Sequence, residues 1–183
     1  MGGDHAPLSN IKGAVDFLSE NSTSNVEIIF VGDKSRICIY ESTFMSVKNK
    51  IEIAHAPDFI STDERSSKVF REKPDSSLVK SVQLVKDGYA DAVISAGNTG
   101  ALLTSALFIL GKIPGIHRPA LAPFIPTQSG GFILCDAGAN VNVKPHHLVQ
   151  FAMMSQAYLE HLERRKNPKV GLLNIGLEKS KGN

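Results

Sequence analysis

Residues 26–33 read Val-Glu-Ile-Ile-Phe-Val-Gly-Asp. Apart from Glu27, residues 26–31 are β-branched or aromatic, the composition of a mostly buried strand. Gly32 turns the chain and Asp33 can cap a following helix. In that helix Ile37, Tyr40, Phe44 and Val47 share one face. Ile51–Ala56 then reads as a second strand. A strand, a helix and a strand in this order begin the alternation of a mostly parallel sheet with crossover connections. Upstream, Leu8–Glu20 reads as a helix, with Ile11, Ala14, Val15 and Leu18 at i, i+3, i+4 and i+7. Asn21–Asn25 is a loop by composition.

Downstream the alternation continues. Pro57–Lys73 is polar and reads as a long surface loop or irregular helix, a kind of segment that is often functional. Asp75 can cap a helix over Ser76–Asp87, with Leu78, Val79, Val82 and Val85 inward and Gly88 as its C-cap. Ala90–Ala96 reads as a third strand. The bend Gly97-Asn98-Thr99-Gly100 leads into an apolar helix reaching Leu110. Pro114–Pro119 is turn-rich. Ala120–Ile125 and Gly131–Asp136 read as strands joined by Pro126–Gly130. A helix starts near Pro145, since proline suits a first helical position. Leu148, Phe151, Ala152, Tyr158, Leu159 and Leu162 form its expected buried stripe, and Val170–Ile175 reads as a last strand. The expectation is an α/β fold whose mostly parallel sheet carries helices on both faces. The loops after the strands then lie on one edge, where open α/β sheets bind ligands.

The chain has 183 residues, which at roughly 100–200 residues per domain is the length of one domain, or of one and part of another. Its 42% hydrophobic and 21% charged content excludes a disordered or collagen-like polymer. The net charge is only +2, so nucleic acid is a poor candidate partner. Cys38 and Cys135 have no metal spacing and read as buried reduced thiols of a cytoplasmic protein. No apolar leader follows Met1. Ala92–Gly111 is uncharged and about as long as a membrane helix. The polar run Ser95, Gly97, Asn98, Thr99 and Gly100 in its first half favours a strand, a turn and a buried helix instead.

Four polar, glycine-rich segments fall at predicted turns: residues 1–7, 95–101, 136–140 and 176–183. The alternation predicts that they gather on one edge of the sheet. In Ser95–Ala101 the first amides of the helix, near Thr99–Leu102, face whatever lies above the loop. Such an end carries roughly half a positive charge and suits an anion such as phosphate. A plain cap and turn explains the same residues. Asp4 and His5 are either a polar pair at a site or a helix-start acid beside an exposed histidine. Asp136 and Asn140 divide between turn chemistry and substrate contact.

His146 and His147 face about 100° apart in a first helical turn, which disfavours a metal shared between them. His55, His117 and His161 have no partner legible in the sequence. Arg164, Arg165, Lys166 and Lys169 suit a helix C-terminus or a patch for an acidic partner. Lys179 and Lys181 follow the last predicted strand, where a phosphate contact is plausible. No GxSxG or catalytic cysteine context is present, so a covalent acyl-enzyme has no support.

Six segments occur in the order and spacing of a known family. They are MGGDHAP (1–7), REKPDSSL (71–78), ADAVISAGNTGAL (90–102), RPALA (118–122), DAGANVNVKPHHLVQFA (136–152) and PKVGLLNIGLEKSKGN (168–183). Together they resemble the bacterial phosphate acyltransferases, the PlsX family. The resemblance implies transfer of a long-chain fatty acyl group from acyl carrier protein to inorganic phosphate, giving acyl-phosphate for phospholipid synthesis. It also implies a fold similar to the isocitrate/isopropylmalate dehydrogenases and phosphate acetyltransferases. No organic cofactor and no required metal are implied. It further implies a homodimer in the cytoplasm, peripherally associated with the membrane and its glycerol-3-phosphate acyltransferase.

On this basis Gly97, Asn98, Thr99 and Gly100 are assigned to phosphate. His5, Asn140 and Lys181 are assigned as catalytic polar donors, and Gly2, Gly3, Asp4 and Asp136 to the substrate. Family members usually place a strand before the MGGD segment, continue well past KGN, and carry Glu where Leu177 stands. The expectation is therefore an N-terminal portion lacking its first strand and C-terminal part, with poor stability and little activity in isolation. Two rival readings are a non-catalytic remnant that binds phosphate or carrier protein, and a nucleotide-binding dehydrogenase. The second predicts a dinucleotide fingerprint, which the sequence lacks.

Overall fold

The computed structural model describes residues 2–64, 70–128 and 130–174. The chain divides into two compact units, Met1–Lys112 and Ile113–Asn183.

In the first unit α1 (Leu8–Glu20) has the predicted bounds and buries Ile11 and Leu18. β1 (Ile28–Gly32) and β2 (Ile51–His55) pair in parallel, with Ile28 opposite Ile51, Phe30 opposite Ile53 and Gly32 opposite His55. The predicted crossover helix is broken into α2 (Lys34–Cys38), α3 (Glu41–Phe44) and a 3-10 segment, Met45–Lys50. Asp33 caps α2, accepting from the Ser35 amide at 2.8 Å. The break falls at Tyr40, which is non-helical at φ −102°, ψ 17°. The bend turns Ile39 out to solvent and still delivers Phe44 to the core. Phe44 meets Phe30 edge-on, with ring centroids 5.8 Å apart. Ile11, Phe30, Ile37 and Phe44 form one core. The apolar face of Ile37, Tyr40, Phe44 and Val47 therefore meets the core, although the helix carrying it is not continuous.

α4 (Ser77–Lys86) follows a buried Ser76, with Leu78, Val79 and Val82 inward. Asp75 does not cap it; its carboxylate lies 3.2 Å from Lys80 Nζ. The Ser77 amide donates instead to the Asp58 carbonyl at 2.8 Å, which occupies one of the amides that a helix start leaves open. α5 (Thr99–Ile109) packs against α4, and Ile60, Leu78, Val79 and Ala101 form a second core.

Residues 90–96 are not a strand. A strand exists only where a second strand pairs with it. Among the described residues nothing pairs with this run, and Ile94 is 99% exposed.

In the second unit β3 (Phe124–Thr127) and β4 (Gly130–Ile133) form an antiparallel hairpin, shorter than the predicted strands 120–125 and 131–136. α6 (Pro145–His161) begins with Pro145 at its first position. It buries Phe151 and half-buries Leu148, Ala152 and Leu159, whereas Tyr158 and Leu162 are exposed. Among the described residues no strand is formed over 170–174, where Leu172 and Leu173 are exposed, so the predicted last strand is absent there. Ile175 lies outside the described residues. The class is α/β. Its described sheets are one parallel pair and one antiparallel pair.

Candidate functional site

Asn98 organises the first unit's glycine-rich bend. Its Oδ1 accepts from the Ala101 amide at 2.9 Å and caps α5. Its Nδ2 donates to the carbonyls of Ser61, Thr62 and Glu64, each at 3.1 Å. The 61–64 turn is therefore clasped to the start of α5. Glu64 anchors that turn further, accepting from Lys73 Nζ and from the Ser61 amide, both at 2.8 Å. The Lys73 contact, helped by the Ser61 amide, holds the Glu64 carboxyl below its ordinary range. The Asn98 side chain, assigned from sequence to phosphate, is thus engaged by protein on both of its ends. The amides of Thr99 and Gly100 open the helix, where no preceding helical carbonyl reaches them.

Two of the four glycine-rich segments meet here. A Cβ on Gly2 would lie 3.1 Å from Gly97 Cα. Gly3 has φ +110°, and a Cβ there would stand 3.2 Å from both Cβ and O of Ala96. Only glycine combines that backbone with such close approach. The Asn10 amide ties the bend down through the Gly2 carbonyl at 3.3 Å. Asp4 and His5 are exposed, and no hydrogen bond or ion pair joins them. Ala6 and Pro7 then line a cleft at the carboxyl ends of β1 and β2, together with Gly32, Asp33, Arg36 and Asp58. That is the edge on which parallel sheets bind ligands. The Asp33 carboxyl is held below its ordinary range by the Ser35 hydroxyl and amide.

The third segment lies in the second unit, where Asp136 organises it. Its Oδ1 accepts from the amides of Leu121 (2.8 Å) and Ala139 (3.2 Å). Its Oδ2 accepts from the amide (2.7 Å) and side chain (3.0 Å) of Asn140. Burial alone would raise this carboxyl; the hydrogen bonds from Leu121, Asn140 and Ala139 outweigh it and hold it below its usual range. The Asn140 side chain also donates to the Pro119 carbonyl at 2.9 Å. Both residues therefore perform turn chemistry, and the Asn140 amide hydrogens face protein acceptors. Lys179, Lys181 and the fourth segment lie outside the described residues.

Both cysteines are free and half-buried. Burial pushes the Cys135 thiol up, the reverse of what a nucleophilic thiolate needs. Among the described residues no helix is long and apolar enough to cross a membrane.

Sequence reading missed two features. The Asn98 clasp takes backbone carbonyls, which carry no side-chain signature. The second is the approach of His117 to His146 and His147, with ring centroids 5.2 and 6.1 Å away. Its one available signal was Gln150, four residues beyond His146 and so on the same helix face.

Comparison with known proteins agrees with these segments. The chain is 50% identical to the phosphate acyltransferase of Bacillus pumilus, 48% to that of Desulforamulus reducens and 47% to that of Exiguobacterium sibiricum. Each match covers 100% of this chain and 54% of the relative. The chain thus spans about half the length of the curated relatives it matches. The fatty acid synthesis protein family matches residues 1–183 without interruption. With the glycine bends of both units inside that match, the chain belongs to the phosphate acyltransferase (PlsX) family of fatty acid synthesis proteins.

Proposed function

We propose that these residues serve transfer of a fatty acyl group from an acyl-carrier-protein thioester to inorganic phosphate. A phosphate oxygen attacks the thioester carbonyl carbon. The carbon–sulfur bond breaks, and the carrier's sulfur leaves and takes up a proton. The products are acyl-phosphate and free carrier thiol. No protein nucleophile is required, in keeping with the raised Cys135 thiol. The amides of Thr99 and Gly100 seat the phosphate, backed by the positive end of α5. His5, which is exposed, and Lys181 act as polar donors to the phosphate or to the carbonyl oxygen as it gains charge. Removing one such preorganised donor commonly costs about 10²–10³ in rate. Gly2, Gly3 and Asp4 shape the substrate side. Asp136 and Asn140 contribute through the bend they hold.

The observation carrying this reading is the contact of Gly2 and Gly3 with Ala96 and Gly97 at the start of α5. In the same reading residues 1–183 form one incomplete α/β domain of the isocitrate/isopropylmalate dehydrogenase-like kind. The rest of the enzyme completes a mostly parallel sheet, and the enzyme acts as a homodimer at the inner membrane face beside the glycerol-3-phosphate acyltransferase. The uninterrupted family match through both units supports the single domain.

Thr99→Pro tests the phosphate seat. Proline is favoured at a first helical position and removes that one amide hydrogen. Asn98 already has the extended backbone (φ −60°, ψ 109°) that a following proline demands. The variant should keep the fold and raise the phosphate KM about tenfold or more, the worth of one charge-assisted bond. The assay is phosphate-dependent loss of acyl-carrier-protein thioester. An unchanged phosphate dependence would remove the seat from α5.

The exposure of Ile94, Leu172 and Leu173 favours a second reading for the 183 residues alone: they bind phosphate or carrier protein without turnover. Phosphate binding by calorimetry without thioester loss would select it.

A further inference from the structure

Three imidazoles meet at the start of α6, and neither the phosphate seat nor the acyl transfer uses them. One ring nitrogen from each of His117, His146 and His147 lies within 4.8 Å of the other two. The His146 and His147 ring centroids are 4.1 Å apart. Adjacent positions on a helix do not by themselves converge; the third ring, brought in by the preceding loop, makes the cluster.

Two clamps hold that loop against α6. The Gln150 side chain accepts from the His117 amide at 3.0 Å and donates to the Gly115 carbonyl at 2.8 Å. Arg118 donates to the Asn142 carbonyl at 2.8 Å. His147 is buried, whereas His117 and His146 are exposed. The cluster therefore joins one buried ring to two that solvent can reach.

We propose that His117, His146 and His147 bind one divalent first-row transition-metal ion of the zinc class. Three nitrogens on a tetrahedral zinc stand about 3.4 Å apart, from Zn–N bonds of about 2.0–2.1 Å. Binding the ion would draw the three nitrogens from within 4.8 Å of one another to that spacing. The fourth position faces solvent and takes water, as three-histidine sites do. Nδ1 of His147 accepts from the Lys144 amide at 3.0 Å, so its neutral ring carries the proton on Nε2. The ion therefore competes with the Lys144 amide for the unprotonated nitrogen of this ring. Arg118 and Lys144 lie beside His147 and oppose any cation held by charge alone. The site therefore selects imidazole-seeking ions such as Zn²⁺, Ni²⁺ and Cu²⁺ over Mg²⁺ or Ca²⁺.

The test is calorimetric titration of the untagged chain with Zn²⁺, repeated with Co²⁺ followed by visible absorption. One saturable ion per chain is expected, with the intense visible bands of a tetrahedral cobalt site and no response to Mg²⁺. His117→Ala and His146→Ala, both at exposed positions, should each weaken Zn²⁺ binding at least about tenfold. His161→Ala, at the far end of the same helix, should leave it unchanged. Absence of saturable Zn²⁺ binding overturns the proposal. So does equal binding by the wild-type chain and the His117 and His146 variants. A failed phosphate seat would leave this site untouched.

Discussion

Replacing Asn98 separates its two engagements. Asn98→Ala removes the acceptor that caps α5 and the amide that clasps the 61–64 turn. Loss of an N-cap side chain costs about 1 kcal/mol. The amide has two hydrogens shared among three carbonyls, so the clasp counts as about two neutral bonds of roughly 1 kcal/mol each. Asn98 is only half-buried. Water replaces part of the clasp, and the expected loss is about 2 kcal/mol rather than the full sum. For a unit of this size that lowers the melting temperature by about 8–16 °C.

Asn98→Ser retains a cap and cannot reach the turn, so it should lose about 1 kcal/mol. Asn98→Asp keeps the cap oxygen but turns a carboxylate oxygen toward three carbonyls, and should be less stable than Asn98→Ser. Urea unfolding followed by circular dichroism gives the series. Amide exchange at residues 61–64 reports the clasp directly. Wild-type stability in Asn98→Asp, or unchanged exchange in Asn98→Ala, would refute the clasp. In a phosphate-dependent acyl-transfer assay Asn98→Ser should stay within about twofold of wild type in phosphate KM, because the proposed seat uses backbone amides. A large KM rise there would return the side chain to the substrate.

Gly3→Ala forces a Cβ onto Ala96 at φ +110° and should destabilise the first unit by about 1–3 kcal/mol, read by thermal melting; a neutral result would mean that the Gly3 bend does not rest on Ala96. Asp136 contributes stability above the ordinary carboxylate pKa of 3.8, because its folded value is lower. That stability is lost as pH falls below 3.8 through the folded value; acid titration of the 119–140 amides by NMR should show the loss in wild type and not in Asp136→Asn. The isolated chain exposes Ile94, Leu172 and Leu173 and should bind a hydrophobic dye, unfold at low urea and turn over little acyl carrier protein; a cooperative, active dimer would refute this.

What could be read from residues alone follows from where each element's free energy is decided. α1 was legible to its ends because Ile11, Ala14 and Val15 pack into the cluster of Phe30 and Phe44 and Leu18 is buried on the same helix face; the same few residues that signal the helix also stabilise it. The Asn98 cap was legible for the same reason, since donor and acceptor are three residues apart. Residues 90–96 failed the opposite test. Their β-branched centre satisfies strand composition, but a strand's hydrogen bonds belong to its neighbour, and among the described residues none is present. The crossover helix failed for a third reason. The positions of Ile37, Tyr40, Phe44 and Val47 fix which side faces the core, and that face survives the bend at Tyr40 that divides α2 from α3. At the site, sequence marked Asn98, Asp136 and Asn140 as polar groups at bends. It could not tell that their side chains would be met by backbone from residues 61–64, 119 and 121. A carbonyl's position depends on the path of distant chain. For that reason the proposed phosphate seat rests on the helix amides and not on the asparagine side chain, and Thr99→Pro distinguishes the two where Asn98→Ala alone would confound binding with stability.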